Sequence, residues 1–235
     1  MKLCSKTCWL IFIVIFSACA PNESDQEPLL IFSENFDFSE SEHEWIHGFA
    51  DYPAGPDDSI LFDLRYAYTD QPLDSKLTKR SIMLSGNNLN KDLFMYLKRK
   101  VDRLKPNTDY TVTFTIELAS DLKATVPGNG SVYLKAGATN TEPKSVIDNG
   151  YYVMNIDKGD QGVSGEDMVS LGDIATPATA TGYTLISRNN TMANSRYIAK
   201  TNSLGELWLI IGTDSSLEGT TTVFYTRVNI VFSAS

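Results

Sequence analysis

The chain has 235 residues, 42 % of them apolar, which is enough to bury a core without disulfide or metal staples. Twenty Lys and Arg stand against 29 Asp and Glu, a net charge of -9, and a surface of that sign repels phosphate backbones and excludes nucleic acid as a partner. Eleven Tyr and 11 Phe against 2 His favour strands and packed or stacking surfaces over proton-shuttling chemistry.

The first element is a leader. MKLCSKTCWLIFIVIFSAC opens on Lys2 and Lys6, continues through an apolar run from Cys8 to Phe16 and ends on the small residues Ser17 and Ala18. That is the pattern of a secretory signal, because an apolar run of about ten residues is half the ~20 that a helix needs to cross a bilayer. Its end, FSAC, resembles a bacterial lipobox, with Phe16 in a slot usually held by leucine. The resemblance implies that residues 1–18 are a cleaved signal peptide. It also implies that Cys19 is acylated and anchors the mature chain to a membrane by lipid, and Ala20 after it implies the outer membrane or cell surface. All three cysteines, Cys4, Cys8 and Cys19, lie in the leader or at its end, so the mature domain holds no disulfide and acylation caps the lone thiol. Without Lys2 and Lys6, 18 basic residues face 29 acidic ones, a net charge of -11. APNESDQEP follows, polar and acidic with two prolines, so residues 19–30 read as a lipidated flexible tether.

From residue 31 to residue 235 the text reads as strands and turns of one β-sandwich domain. SILFDLRYAY places Ile60, Phe62, Leu64, Tyr66 and Tyr68 on one face of a long strand and Leu61, Asp63, Arg65 and Ala67 on the other. DLFMYLKRKV and YTVTFTIEL alternate in the same way. RSIMLSG, SVYLKAGA, YYVMNI, ELWLIIGTD and TTVFYTRVNIVF are further strands, separated by the turn clusters KPNTD, VPGNG, DKGDQG and TDSSLEG. No stretch carries a helical stripe of ten or more residues, and no fixed period repeats, which disfavours propellers and solenoids. The expected fold class is all-β, a two-sheet sandwich; a pair of smaller β-domains divided near Gly128 is the runner-up.

Three of these stretches carry a family resemblance. LKPNTDYTVTFTI resembles the turn and Tyr-initiated strand of carbohydrate-binding modules with a galactose-binding-like jelly-roll fold. FSENFDFSE with Trp45 is similar to their first strand and following loop, and ELWLIIGTDSSLEGTTTVFYTRVNIVF resembles their closing strands. The resemblance implies a jelly-roll-like sandwich that binds glycan. In many such modules the last strand carries an Asp that helps to hold a structural calcium; the corresponding stretch here is Tyr225, Thr226, Arg227, Val228.

Residues 43–47, HEWIH, spell the H-E-x-x-H of many zinc proteases. That chemistry needs both histidines on one continuous helix, a third protein ligand and an open position for water. Gly48 follows at once, Pro53 comes soon after, and a third ligand would have to be an acid such as Asp57, Asp63 or Asp70. The pentapeptide therefore reads as a loop or short turn with Trp45 tucked into the sandwich edge, and no catalytic or metal-binding set is assigned. The candidate ligand-binding residues are the aromatics Trp45, Tyr52, Tyr66 and Tyr68, near loops with Asp51, Asp57, Asp58 and Asp70, a mixture that stacks on sugar faces and bonds their hydroxyls. Core packing is the competing reading for Trp45, Tyr66 and Tyr68. The loop DKGDQGVSGED gathers Asp157, Asp160, Glu166 and Asp167, oxygen ligands that suit calcium, but its spacing departs from the EF-hand pattern and an acidic solvated turn is the simpler reading. No G-x-S-x-G, P-loop or Ser-His-Asp set is present. The expected function is a lipid-anchored, non-catalytic binding module for glycan or another surface polymer. Its alternatives are a structural or adhesive surface lipoprotein and a hydrolase, metal-dependent or glycosidic.

Overall fold

The structure, a computed structural model, describes residues 31–73, 78–124 and 131–234. The signal peptide, Cys19, the tether and the VPGNG turn around Gly128 lie outside them. The strands in chain order are β1 (Ile31–Asp37), β2 (Ile46–Ala50), β3 (Tyr52–Pro53), β4 (Arg65–Asp70), β5 (Arg80–Asn88), β6 (Leu93–Val101), β7 (Asp109–Ser120), β8 (Val132–Thr139), β9 (Ser145–Asp148), β10 (Tyr151–Met154), β11 (Val169–Asp173), β12 (Thr184–Asn189), β13 (Ile198–Lys200), β14 (Leu207–Ser215) and β15 (Gly219–Ala234). Among the described residues one short helix, α1 (Asp58–Leu61), interrupts them. The chain is all-β, as the period-two runs imply.

Two antiparallel sheets make the sandwich. The larger has the order β12-β7-β15-β5-β4, with β1 also on β15 and β13 also on β7; the second has the order β11-β8-β14-β6-β2. Alternation along the strands decides which side chains meet between them. Tyr110, Val112, Phe114, Ile116 and Leu118 of β7 and Ile82 and Leu84 of β5 face Leu93, Met95 and Leu97 of β6, Leu134 and Ala136 of β8 and Leu207, Leu209 and Ile211 of β14, all within one apolar cluster. In β15 the inward phase passes from Val223 and Tyr225 to Val228, Ile230 and Phe232. A register shift between Tyr225 and Arg227 takes up the odd residue, which lets a 16-residue strand keep one face buried along its length.

The LKPNTDY turn forms as its residues suggest. Asn107 takes a left-handed conformation (φ 52°), and the fully buried Tyr110 accepts a hydrogen bond on its hydroxyl from the Lys105 N–H at 2.9 Å, tying the strand's start to the preceding turn. The long strand expected over SILFDLRYAY is corrected. Asp58 accepts the Gly55 N–H at 2.6 Å and opens α1, and Asp63 turns left-handed (φ 47°), so only Arg65–Asp70 pair as a strand and Ile60 and Leu61 are exposed. A local acid–backbone bond here outweighs hydrophobic alternation.

The outer face of the second sheet is covered, which sequence alternation alone does not foretell. Ala50, Phe94, Tyr96 and Ile210 point away from the sandwich and form a second small core with Met168, packed by Met154 and Ile156. The cover is the β9–β10 hairpin, which pairs with β3 in a three-stranded sheet, and the segment 154–168 that follows. Glycines make room for it. A Cβ on Gly48 would overlap the Tyr96 ring, and one on Gly137 would overlap the Asp167 carbonyl.

Candidate functional site

HEWIH does not form a helix. His43 and Glu44 both have positive φ (48° and 59°), and β2 begins at Ile46. His43 Nε2 lies 2.8 Å from the Asp37 carbonyl, whereas His47 stacks on Tyr66 at 3.9 Å between ring centroids, so the two imidazoles serve different neighbours.

The four candidate aromatics are not brought together as a platform. Trp45 is 4 % exposed, edge-on to Phe36 and Phe38, and Tyr52 is 8 % exposed, stacked on Tyr152 and tilted against Phe62. Both rings are packed in the core. Tyr66 gives one face to His47 and bonds its hydroxyl to the Glu42 carboxylate; burial, then that bond, pushes its phenol above the usual range. Tyr68 carries the Arg80 guanidinium over its ring at 4.1 Å and donates to the Phe38 carbonyl at 2.9 Å. Both half-buried rings pack on the main core.

Two acids of DKGDQGVSGED, Asp157 and Asp167, hold their own loop. Asp157 accepts the N–H groups of Gly159 and Glu166, both at 2.9 Å, and Asp167 accepts the N–H of Asp157 at 2.8 Å. The bonds from Glu166 and Gly159 keep the Asp157 carboxyl below its usual range. The glycines serve close backbone approach, since a Cβ on Gly165 would overlap the Gly159 nitrogen and the Asp157 carbonyl.

What the structure brings together instead is a groove of about 210 Å³ on the edge of this cover. One wall is the end of β8 and the turn after it, Ala138 to Thr141; the second is Asn155, Ile156, Glu166 and Asp167 of the covering segment; the third is Tyr197 to Lys200, leading through β13. Tyr197 joins the walls. Its hydroxyl accepts the Ala138 N–H at 3.0 Å and lies 2.9 and 2.8 Å from the carbonyls of Ala138 and Asp167, one of which takes its proton. Burial pushes this phenol up to about 12, so it stays a neutral structural pin. Asn155 is held too, accepting the Lys144 N–H at 2.7 Å and donating to the Glu142 carbonyl at 3.1 Å.

Among the described residues, the side chains of Glu166 and Lys200 have no polar partner, and both are exposed in the groove beside Asn140 and the half-exposed Ile198. The groove therefore offers a free carboxylate, a free ammonium and an amide next to apolar Ile156 and Ile198. Of these residues only Glu166 stood out in the sequence. Asn140, Asn155 and Lys200 sit in turns and on a three-residue strand, where no periodicity or motif marks them.

Beneath the same cover lies a second group that alternation hides. Asp214 and Lys135 occupy outward positions on β14 and β8 yet are fully buried, where they meet Lys158 of the covering segment, Asp51 and Asp92. Lys158 Nζ stands 2.7 Å from Asp214 Oδ2 and 2.9 Å from Asp51 Oδ2. The carboxylates raise the Lys158 amine's affinity for protons against the effect of its burial, whereas burial dominates at Lys135 and lowers it.

No protein-family model matches the chain, and none of the curated proteins matches it. Among solved structures, the mannan-recognising carbohydrate-binding module TmCBM27 is similar over 86 % of this chain and 97 % of its own, at 13 % identity and a TM-score of 0.39. TmCBM61, solved with β-1,4-galactotriose, is similar over 82 % and 92 % at 8 % identity and 0.38. The enzymatically active domain of tailspike protein 4 of bacteriophage CBA120 is similar over 79 % of this chain at 7 % identity and 0.38, but the chain spans only 19 % of that protein. Likenesses of this degree carry no functional argument, which rests on the groove.

Proposed function

We propose that the protein is a non-catalytic binding module for a glycan or another surface polymer, held at the outer membrane or cell surface by lipid on Cys19 and the tether of residues 19–30. The groove between β8, the covering segment and β13 carries this reading. Its free Glu166 carboxylate and Lys200 ammonium and the exposed Asn140 amide lie beside Ile156 and Ile198, and such a mixture suits a ligand that alternates hydroxyls with apolar C–H faces. Two walls are pinned by Tyr197, so little ordering is needed on binding. Catalysis finds less support: among the described residues one group of three carboxyls converges, Asp51, Asp92 and Asp214, and lysines neutralise two of them beneath the cover.

A glycan array probed with the purified protein and with Asn140→Ala and Glu166→Gln variants tests the reading. Each substitution is expected to weaken binding about tenfold, the equivalent of ~1.4 kcal/mol for a lost charged or amide hydrogen bond. Binding that neither variant changes would move the site elsewhere, and no binding to any glycan would favour the adhesive or structural alternative.

A further inference from the structure

The segment 154–168 has two jobs that meet in one strip of chain: it forms a wall of the groove, and it seals the buried charges. Its polar attachment to those charges comes from two residues. Lys158 bridges Asp214 and Asp51, and Gln161 donates its N–H to Asp214 Oδ2 at 3.1 Å while its side-chain amide reaches the Lys91 carbonyl at 2.8 Å and the Asp92 carboxyl at 3.5 Å. The charges facing this point come from five places: Asp51 between β2 and β3, Asp92 before β6, Lys135 on β8, Asp214 on β14, and Lys158 with nearby Asp157 and Asp160 on the segment itself.

The balance is uneven. One oxygen of each of the three acids lies within 4.8 Å of the others, and two lysines answer them, which leaves one carboxyl without a cation. Asp92 is the odd one: it makes no ion pair among the described residues, and its near polar contacts are Gln161 and its own backbone N–H, received by Asn88 Oδ1 at 3.2 Å and Asn90 Oδ1 at 3.3 Å. Asp214 Oδ1 is buried without a hydrogen-bond partner, so no spare donor is present to absorb further negative charge. We infer that residues 154–168 are a strap latched by Lys158, and that the protonation state of Asp92 sets how firmly it closes.

The direction follows from what each state does to Asp92. Under the closed strap, burial and then the Asp51 charge raise its carboxyl to about 6. With the strap lifted, water returns and the carboxyl moves back toward ~3.9, the ordinary value for an Asp. The closed form thus binds the proton more tightly, so opening releases it and becomes easier as pH climbs from about 4 to about 6, then levels off. Burial raises the Asp51 carboxyl as well, which adds with the same sign. A groove ligand should feel the latch through Asn155, Ile156, Glu166 and Asp167. That consequence rests on the binding reading above, whereas the opening of the strap does not.

Hydrogen exchange of the full chain without any glycan, corrected for the intrinsic rate and referred to amides of β14, tests the latch between pH 4.5 and 7.5. Protection of amides 157–168 is expected to fall about tenfold or more across this range in the wild type and to fall clearly less in Asp92→Asn, where only the Asp51 contribution is left. Lys158→Met should lose strap protection at every pH; if it also loosens β14, the Asp92→Asn profile still decides. A wild-type profile that is flat in pH, or an Asp92→Asn profile that follows the wild type, would overturn the proposal. So would calcium restoring wild-type protection at pH 7.5 without restoring Lys158→Met, because the carboxyls would then be serving a divalent cation.

Discussion

Trp45 packs its indole edge-on between Phe36 at 5.5 Å and Phe38 at 6.2 Å, and its N–H is buried with no acceptor. Trp45→Ala should therefore act through stability, costing ~3–5 kcal/mol for a large buried aromatic, as read by chemical denaturation. An unchanged midpoint with lost ligand binding would return this residue to the site. Asp37 makes a different prediction. Burial would raise its carboxyl, but the bonds from Ser39 and from Arg227, whose Nη2 is 2.7 Å away, outweigh it and hold the group at about 2. A carboxyl held below its unfolded value stabilises the fold above ~4 and loses that contribution as pH falls toward 2. The difference in melting temperature between wild type and Asp37→Asn should thus be largest near pH 5 and shrink toward pH 2. At this scale Glu166 and Asp51 were within reach of sequence reading, because loop acids stand out. Asp214 and Lys135 were not, since an outward position on a strand ordinarily means solvent.

At the scale of elements, the strand signals that succeeded were those without local competition. ELWLIIGTD and TTVFYTRVNIVF have no acid or proline that captures a backbone N–H of their own run, and they form β14 and β15. SILFDLRYAY follows Gly55, Pro56, Asp57 and Asp58, whose turn chemistry breaks the run before Arg65. The strap was legible as a glycine-rich acidic loop, but the purpose of its glycines was not: they let Asp157, Gly159 and Gly165 lie backbone to backbone. Gly165→Ala should leave the global melting temperature within a few degrees of wild type while opening the strap, seen as faster proteolytic nicking between residues 157 and 168. Nicking at the wild-type rate would mean that the loop absorbs the extra methyl elsewhere.

For the molecule as a whole, period-two alternation was sufficient to give the all-β class and the faces that meet in the main core. It could not give the cover over the second sheet, because Met154 and Ile156 keep the strand spacing of two only at the end of YYVMNI, and the turns of residues 157–167 that follow carry no period leading to Met168. That cover creates both the groove and the buried latch, so the parts of the molecule that bear on function were the least legible. Affinity electrophoresis in native gels cast with soluble polysaccharides, paired with an assay for newly released reducing ends, tests the binding reading most directly. The expected result is retardation of the wild type by at least one polysaccharide, relieved in a combined Asn140→Ala, Glu166→Gln variant, with no release of reducing ends. Migration unaffected by every polysaccharide, or cleavage of the one that retards it, would contradict a non-catalytic glycan-binding groove.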